Sequence, residues 1–384
     1  HLMPPQKFYN MPYFIPLGIP DFKGKKDRDF IQVSYLIEGN DAVELTIQIR
    51  DGGKIIYQEK ITDSSKLTKG EHCWKWNGFD SNGIYDSAVF TTAKDLNIYT
   101  IAIDNEENYS RKRVEFTAKY SEVKWVDVKI NKNTKRIDVT LRVNLKDGGE
   151  IGTEKDCIQV GSSQYSSIKT VCPWEKIPEK EIDPKDPILK ARNESNNFDA
   201  LKQLAMDGIE KYWERNNTNI GKGVYIDEEL YEVFISCKQG EQGMVAPKII
   251  YFTNSENTTF NRSHNWFASR KLYYKEGYLK NERWVYRNSS DAIQDFKETA
   301  AHEIGHELLA KLNGKYHSYT HKGTSHPSVI IQDPIEGTKY PTGGEEIDLM
   351  KYADDFYPYD YYKRVILSEK DLLGLLWLTK LELK

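Results

Sequence analysis

The stretch Glu298–Ala310, "ETAAHEIGHELLA", contains His302-Glu303-Ile304-Gly305-His306, the pattern H-E-x-x-H. On a helix, positions i and i+4 share one face, so both imidazoles project the same way and are placed to share a metal ion. Glu303 sits beside the first histidine, where its carboxylate reaches a water rather than the metal. That is the donor set of a zinc hydrolase: two neutral imidazoles as ligands and a carboxylate as general base toward a zinc-activated water. Gly305 is expected to leave room beside the metal, and Ile304, Leu308 and Leu309 to anchor the helix on a core.

The flanking sequence supports a helix here. Ser289-Ser290-Asp291 supplies an N-cap signal and Asn313-Gly314 a C-cap signal. The extended pattern with a third histidine two turns on fails, because Leu309 and Leu312 occupy the positions that would need glycine and histidine. The third ligand is therefore expected to be a downstream carboxylate. "GGEEIDLMKYADD", Gly343–Asp355, follows about 40 residues after His306 and places acids beside apolar anchors. Glu346 ranks first, then Glu345 and Asp348. His317, His321 and His326 form a second set of candidates, as ligands or as hydrogen-bond donors. Tyr316, Tyr319 and Tyr340 are candidates for stabilising an oxyanion. His264 is assigned to structure or substrate contact.

Bulk properties narrow the setting. The chain has 384 residues and a formal net charge of -4, with no basic stripe, so nucleic acid and anionic membranes are not expected partners. No apolar run is long enough to span a bilayer, and no transmembrane segment is expected. The first twenty residues lack the order of a signal peptide. Of four cysteines, Cys157 and Cys172 flank a Gly/Ser-rich loop and are placed to pair in an oxidising compartment. Cys73 and Cys237 stand alone in strand-like contexts.

Outward from the motif, the period changes twice. "FDALKQLAMDGIEKYWERN" puts Leu201, Leu204, Ala205, Ile209 and Tyr212 on one helical face. "KGVYIDEE", "YEVFISCKQ" and "PKIIYFTN" read as strands, and "SEKDLLGLLWLTKLEL" as a closing helix. Upstream, residues 28–120 carry short alternating segments: "DFIQVSYLI", "AVELTIQIRD", "GKIIYQEKI", "YDSAVFTTAK" and "NIYTIAIDN". Turn signals such as Asp51-Gly52-Gly53 and Ser81-Asn82-Gly83 punctuate them, the pattern of an all-β sandwich. Val123–Leu145 reads as a hairpin turning at Asn131–Thr134. The fold expected is multidomain: an N-terminal extension (1–27), an Ig-like β-sandwich (28–120), a hairpin and linker region (121–194), and an α+β zincin-like metallopeptidase domain (195–384).

Two resemblances follow from these residues. "KGEHCWKWNGFDSNGIYDSAVF", Lys69–Phe90, resembles the Ig-like domain of the flagellar hook-capping protein FlgD, although Asp86-Ser87-Ala88 stands where that family has a glycine before its last strand. Such domains are scaffold or adaptor modules. "HEIGHELL", "EEIDLMKYADD" and "DYYKRVILSEKDLLGLLWL" together resemble the metallopeptidase domain associated with VgrG spike proteins of type VI secretion systems. That resemblance implies a zinc endopeptidase with His302, His306 and Glu346 as ligands and Glu303 as base. It also implies an antibacterial toxin acting on a protein or peptide substrate in the target-cell periplasm. Its partners would be an immunity protein and, through the Ig-like domain, a secretion spike or chaperone. Two other readings are open: an ordinary secreted gluzincin-like protease with an accessory β domain, and a non-enzymatic adaptor with a degenerate peptidase fold. Intact Glu303 weighs against the last.

Overall fold

The computed structural model describes residues 13–151, 155–160, 169–172, 176–181, 197–252, 263, 270–280, 283–286, 289–313, 322, 338–353 and 355–384. Alternation of apolar and polar residues builds the first part of the chain. The strands Lys54–Ile61, Ala42–Asp51, Leu96–Asp104 and Tyr109–Glu115 form a four-stranded antiparallel sheet in that order. Leu45, Ile47 and Ile49 point to its buried side, as period two demands. Ile31–Ile37 pairs with Gly70–Trp76, setting Ile31 opposite Trp76 and Val33 opposite Trp74.

The tryptophan turn that follows is held by its own polar atoms. Asp80 Oδ1 accepts from the amides of Asn82 and Ile84 at 2.8 and 2.9 Å. Trp76 Nε1 donates to the Phe79 carbonyl at 2.8 Å. Gly78 has φ +86°, and a Cβ there would lie 2.6 Å from the Phe14 ring, so the turn requires glycine twice over.

One expected strand is corrected here. "YDSAVFTTAK" is not extended throughout: Ile84–Asp86 is a short strand and Ser87–Thr92 is a helix. The cause is local. Asp86 caps the Ala88 amide at 3.0 Å, and the Thr91 hydroxyl donates to the Ser87 carbonyl, so side chains satisfy the turn that the β-branched residues would otherwise oppose.

The hairpin expected at 123–145 is present, as Val126–Asn131 paired with Arg136–Ile151. Asn131 Oδ1 accepts from the amides of Asn133 and Thr134 across the turn. Val126–Asn131 also pairs with Ile84–Asp86. The closing segment is a helix only over Glu369–Trp377; Leu381–Leu383 is a strand paired with Ala118–Tyr120 and Tyr13–Phe14.

These pairings make the compact units discontinuous in sequence. One comprises residues 1–141, 215–236 and 369–384; the other comprises 142–214 and 237–368. Strands distant in sequence close the first unit's sheets. The architecture is a β-rich, multidomain one with five helices among the described residues.

In the second unit, helix Phe198–Trp213 buries Leu201, Ala205, Ile209 and Tyr212 of the face its periodicity predicts, while Leu204 of that face is half-buried. It crosses the motif helix, Ser289–Asn313, so closely that a Cβ on Gly208 would sit 2.2 Å from the Lys297 carbonyl oxygen. Trp213 Nε1 donates to the Ala301 carbonyl at 3.2 Å. Met244–Phe252 and Lys271–Tyr274 run parallel, and Tyr274 packs edge-on against Phe296 of the motif helix at 5.3 Å between ring centroids. Cys157 and Cys172 form a disulfide, whereas Cys73 and Cys237 are free thiols. No helix among the described residues is long and apolar enough to cross a membrane.

Candidate metal centre and cleft

The motif helix is buried nearly all round from Ala300 to Leu309. A core helix of this kind is ordinarily apolar, because an ionisable group loses its hydration on burial. Here His302, Glu303 and His306 are only 4–6% exposed. The imidazoles of His302 and His306 lie edge to face, with centroids 5.0 Å apart, as one turn of helix requires.

The backbone fixes the state of His302. Its Nδ1 lies 2.7 Å from the Leu349 carbonyl oxygen. A carbonyl only accepts, so Nδ1 carries the proton and the lone pair resides on Nε2, the tautomer a metal ligand needs. Burial lowers the imidazole's proton affinity and favours this neutral form; the Leu349 bond and the charge of Asp348 oppose it.

The segment bearing Leu349 is the one singled out for the third ligand. Ile347–Asp348 pairs in parallel with Val365–Ile366, and the Leu349 amide donates to the Ile366 carbonyl at 2.8 Å. Met350 packs against the motif helix: a Cβ on Gly305 would fall 2.6 Å from its sulfur. This corrects the role expected of Gly305. Its missing side chain admits Met350, and so brings the Leu349 carbonyl to His302, instead of leaving space for a metal.

The three acids of that segment differ. Asp348 is committed to structure, accepting from Lys322 Nζ at 2.9 Å and from the Met350 amide at 2.8 Å. The Glu345 side chain is largely exposed and lies 3.9 Å from Arg364, whose Nε donates to the Glu345 carbonyl. Glu346 is half-buried. As the side chains lie, no group of three or more His, Cys, Asp or Glu among the described residues is arranged to hold a metal ion, so Glu346 is not gathered with the two histidines. Candidates His264, His317, His321, His326, Tyr316 and Tyr319 lie outside the described residues. Tyr340 is buried in an aromatic cluster, 5.7 Å from Tyr361 between centroids.

A cleft of about 230 Å³ opens beside the motif, and His302 and Glu303 line it. Its other lining residues were not singled out in the sequence, among them Tyr352, Asp295 and Glu298. The Tyr352 ring is 5.6 Å from His302. Asp295 and Glu298 continue the face of His302 and His306 toward the helix N-terminus, at spacings of three, four and four. That spacing was visible in the sequence and is the signal that would have found them. Burial pushes the Glu298 carboxyl up to about 8, with Asp295 acting in the same sense and the hydrogen bond from Tyr361, at 2.8 Å, acting against it.

The chain matches no protein-family model, no curated protein and no solved structure.

Proposed function

We propose that the protein is a zinc-dependent peptidase whose working centre is the buried face of the motif helix. One observation carries this reading: His302 and His306 are held side by side in a core helix, with Nδ1 of His302 fixed on a backbone carbonyl and Glu303 facing the cleft. A core keeps such groups at a cost in stability, and chemistry is the usual reason it does so. The donor set suits zinc, with His302 and His306 as ligands and Glu346 as third. The Glu346 assignment rests on its sequence position and on the seating of its segment against the helix, since Asp348 and Glu345 are engaged elsewhere.

Bound there, zinc would supply a Lewis acid that acidifies water and polarises a substrate carbonyl. The chain's own residues do the rest. Glu303 takes a proton at its carboxylate and returns it to the leaving amine. The Leu349 carbonyl keeps His302 in its ligating tautomer. Ala300, Ile304 and Leu308 exclude water from behind the site.

Elemental analysis tests this directly. Wild type is expected to carry about one zinc per chain, as a single three-ligand catalytic site would hold. His302→Ala and Glu346→Ala are expected to lose it, and Glu303→Ala to keep it. A well-folded wild type without zinc would overturn the reading. Delivery by a type VI spike into a rival's periplasm rests on the resemblance alone. It predicts toxicity when wild type, but not Glu303→Ala, is directed to the periplasm.

A further inference from the structure

Glu298 has an unusual environment for a carboxylate. It is 6% exposed and lines the cleft one helical turn from His302. Among the described residues its hydrogen bond comes from the neutral Tyr361 hydroxyl, and no basic side chain forms an ion pair with it. Buried carboxylates are ordinarily matched by a cation, because the lost hydration must be replaced. Two lysines line the same cleft. Lys351 Nζ, however, is bonded to the Lys339 carbonyl, and Lys275 Nζ lies over the Tyr273 ring at 5.6 Å.

The rest of the wall suits a positive guest. Tyr357 stacks on Tyr361 with centroids 4.1 Å apart, and both line the cleft with Tyr352. Aromatic faces carry negative potential and attract ammonium and guanidinium groups. Asp295, which accepts from the Tyr362 hydroxyl at 3.2 Å, adds a second carboxylate on the same helix face. These three tyrosines and two acids thus share the wall of one cleft, a lining suited to a cation.

We propose that this cleft selects peptide substrates bearing a positively charged side chain next to the scissile bond, with Glu298 as the principal specificity residue, Asp295 as its auxiliary and the tyrosines as walls. This deepens the peptidase reading and rests on it for the word substrate; the cation site itself can be tested without turnover.

The first arm is therefore binding. Glu303→Gln protein, in which turnover is slowed, is titrated calorimetrically at about pH 9, where Glu298 is ionised and lysine still charged, with the blocked tripeptides Ala-Lys-Ala and Ala-norleucine-Ala, which differ in charge and little in shape. The lysine peptide is expected to bind at least tenfold more tightly. Adding Glu298→Gln, or separately Asp295→Asn at the less buried position, is expected to bring the ratio toward one, with the unfolding midpoint recorded for each. Equal affinity for the two peptides, or a preference that survives both substitutions in folded protein, would overturn the proposal. The second arm is turnover by the zinc-loaded wild type on the same pair in longer peptides. Cleavage without preference for lysine also overturns it. Absence of any cleavage, with the lysine preference in binding intact, would sink the peptidase reading and leave the cation site established.

Discussion

The turn Asp104–Asn108 and the motif helix treat a carboxylic acid in opposite ways. At the turn, Asp104 is at the surface and its two oxygens accept four hydrogen bonds, from the amides of Glu106 and Asn108 and the side chains of Asn108 and Asn40. Its charge is stabilised, and its acidity rises. In the motif helix, burial penalises the charge of Glu298 and its acidity falls. The turn spends polar atoms on order. The helix keeps polar atoms in a core where apolar ones would be more stable, the trade on which the proposed peptidase reading rests.

That contrast predicts which property each region's variants should change, and the largest effect should come from the helix. Glu303→Gln is expected to lower kcat/KM by roughly 10²–10⁴-fold, the range for removing a general base, while zinc content and unfolding midpoint stay as in wild type. Ile47→Ala in the sheet is expected to do the reverse. Ile47 is fully buried, so its truncation should cost about 2–5 kcal/mol of stability and leave kcat/KM of the folded fraction unchanged. Denaturant unfolding together with peptide turnover checks both. Substantial catalytic loss from Ile47→Ala, or unfolding by Glu303→Gln, would break the contrast.

Two glycines sharpen it within the helix layer. Gly208→Ala drives a methyl into the Lys297 carbonyl, a backbone atom that cannot rotate away. The loss should be about 3 kcal/mol, read in denaturant midpoints. Gly305→Ala meets only the flexible end of Met350. Overpacking of about 1 kcal/mol should be nearly offset by the better helix propensity of alanine, also about 1 kcal/mol. Its effect should instead appear in zinc affinity, because moving Met350 moves the neighbouring Leu349 carbonyl off His302.

Much of this was legible in the residues. Asn131–Thr134 announced its hairpin because the Asn131 side chain can satisfy the turn by itself. The helix at Phe198–Trp213 announced itself through a periodic face, and that at Ser289–Asn313 through its motif and cap signals. Local signals failed where long-range pairing or side-chain capping decides. Leu381–Leu383 continues a helical pattern and becomes a strand because Ala118–Tyr120 and Tyr13–Phe14 pair with it on both sides. Ser87–Thr92 carries strand-forming residues and becomes a helix through the Asp86 cap. At the site, the motif gave His302, Glu303 and His306. It could not give Tyr352, Tyr357 or Tyr361, which reach the cleft from a segment some fifty residues downstream.

The smallest expected effect belongs to the turn. Hydrogen bonds from Asn108, side chain first and then backbone, hold the Asp104 carboxyl down at about 2, against an ordinary value of 3.8. A group more acidic when folded contributes stability at all pH values above its ordinary range and surrenders it as pH falls through the folded value. The turn should therefore be intact at pH 5 and loosen between about pH 4 and 2. A carboxyl-carbon NMR titration reads the midpoint at Asp104, and amide exchange at Glu106 and Asn108 reads the loosening. Asn108→Ala removes a side-chain donor and should move the midpoint back toward 3.8 with little change in overall stability, since the turn lies at the surface and its backbone donors remain. A midpoint at the ordinary value in wild type would mean that the bonds are not held in solution. The surface carboxylate would then lose its distinction from any solvated acid, and the contrast with Glu298 would rest on burial alone.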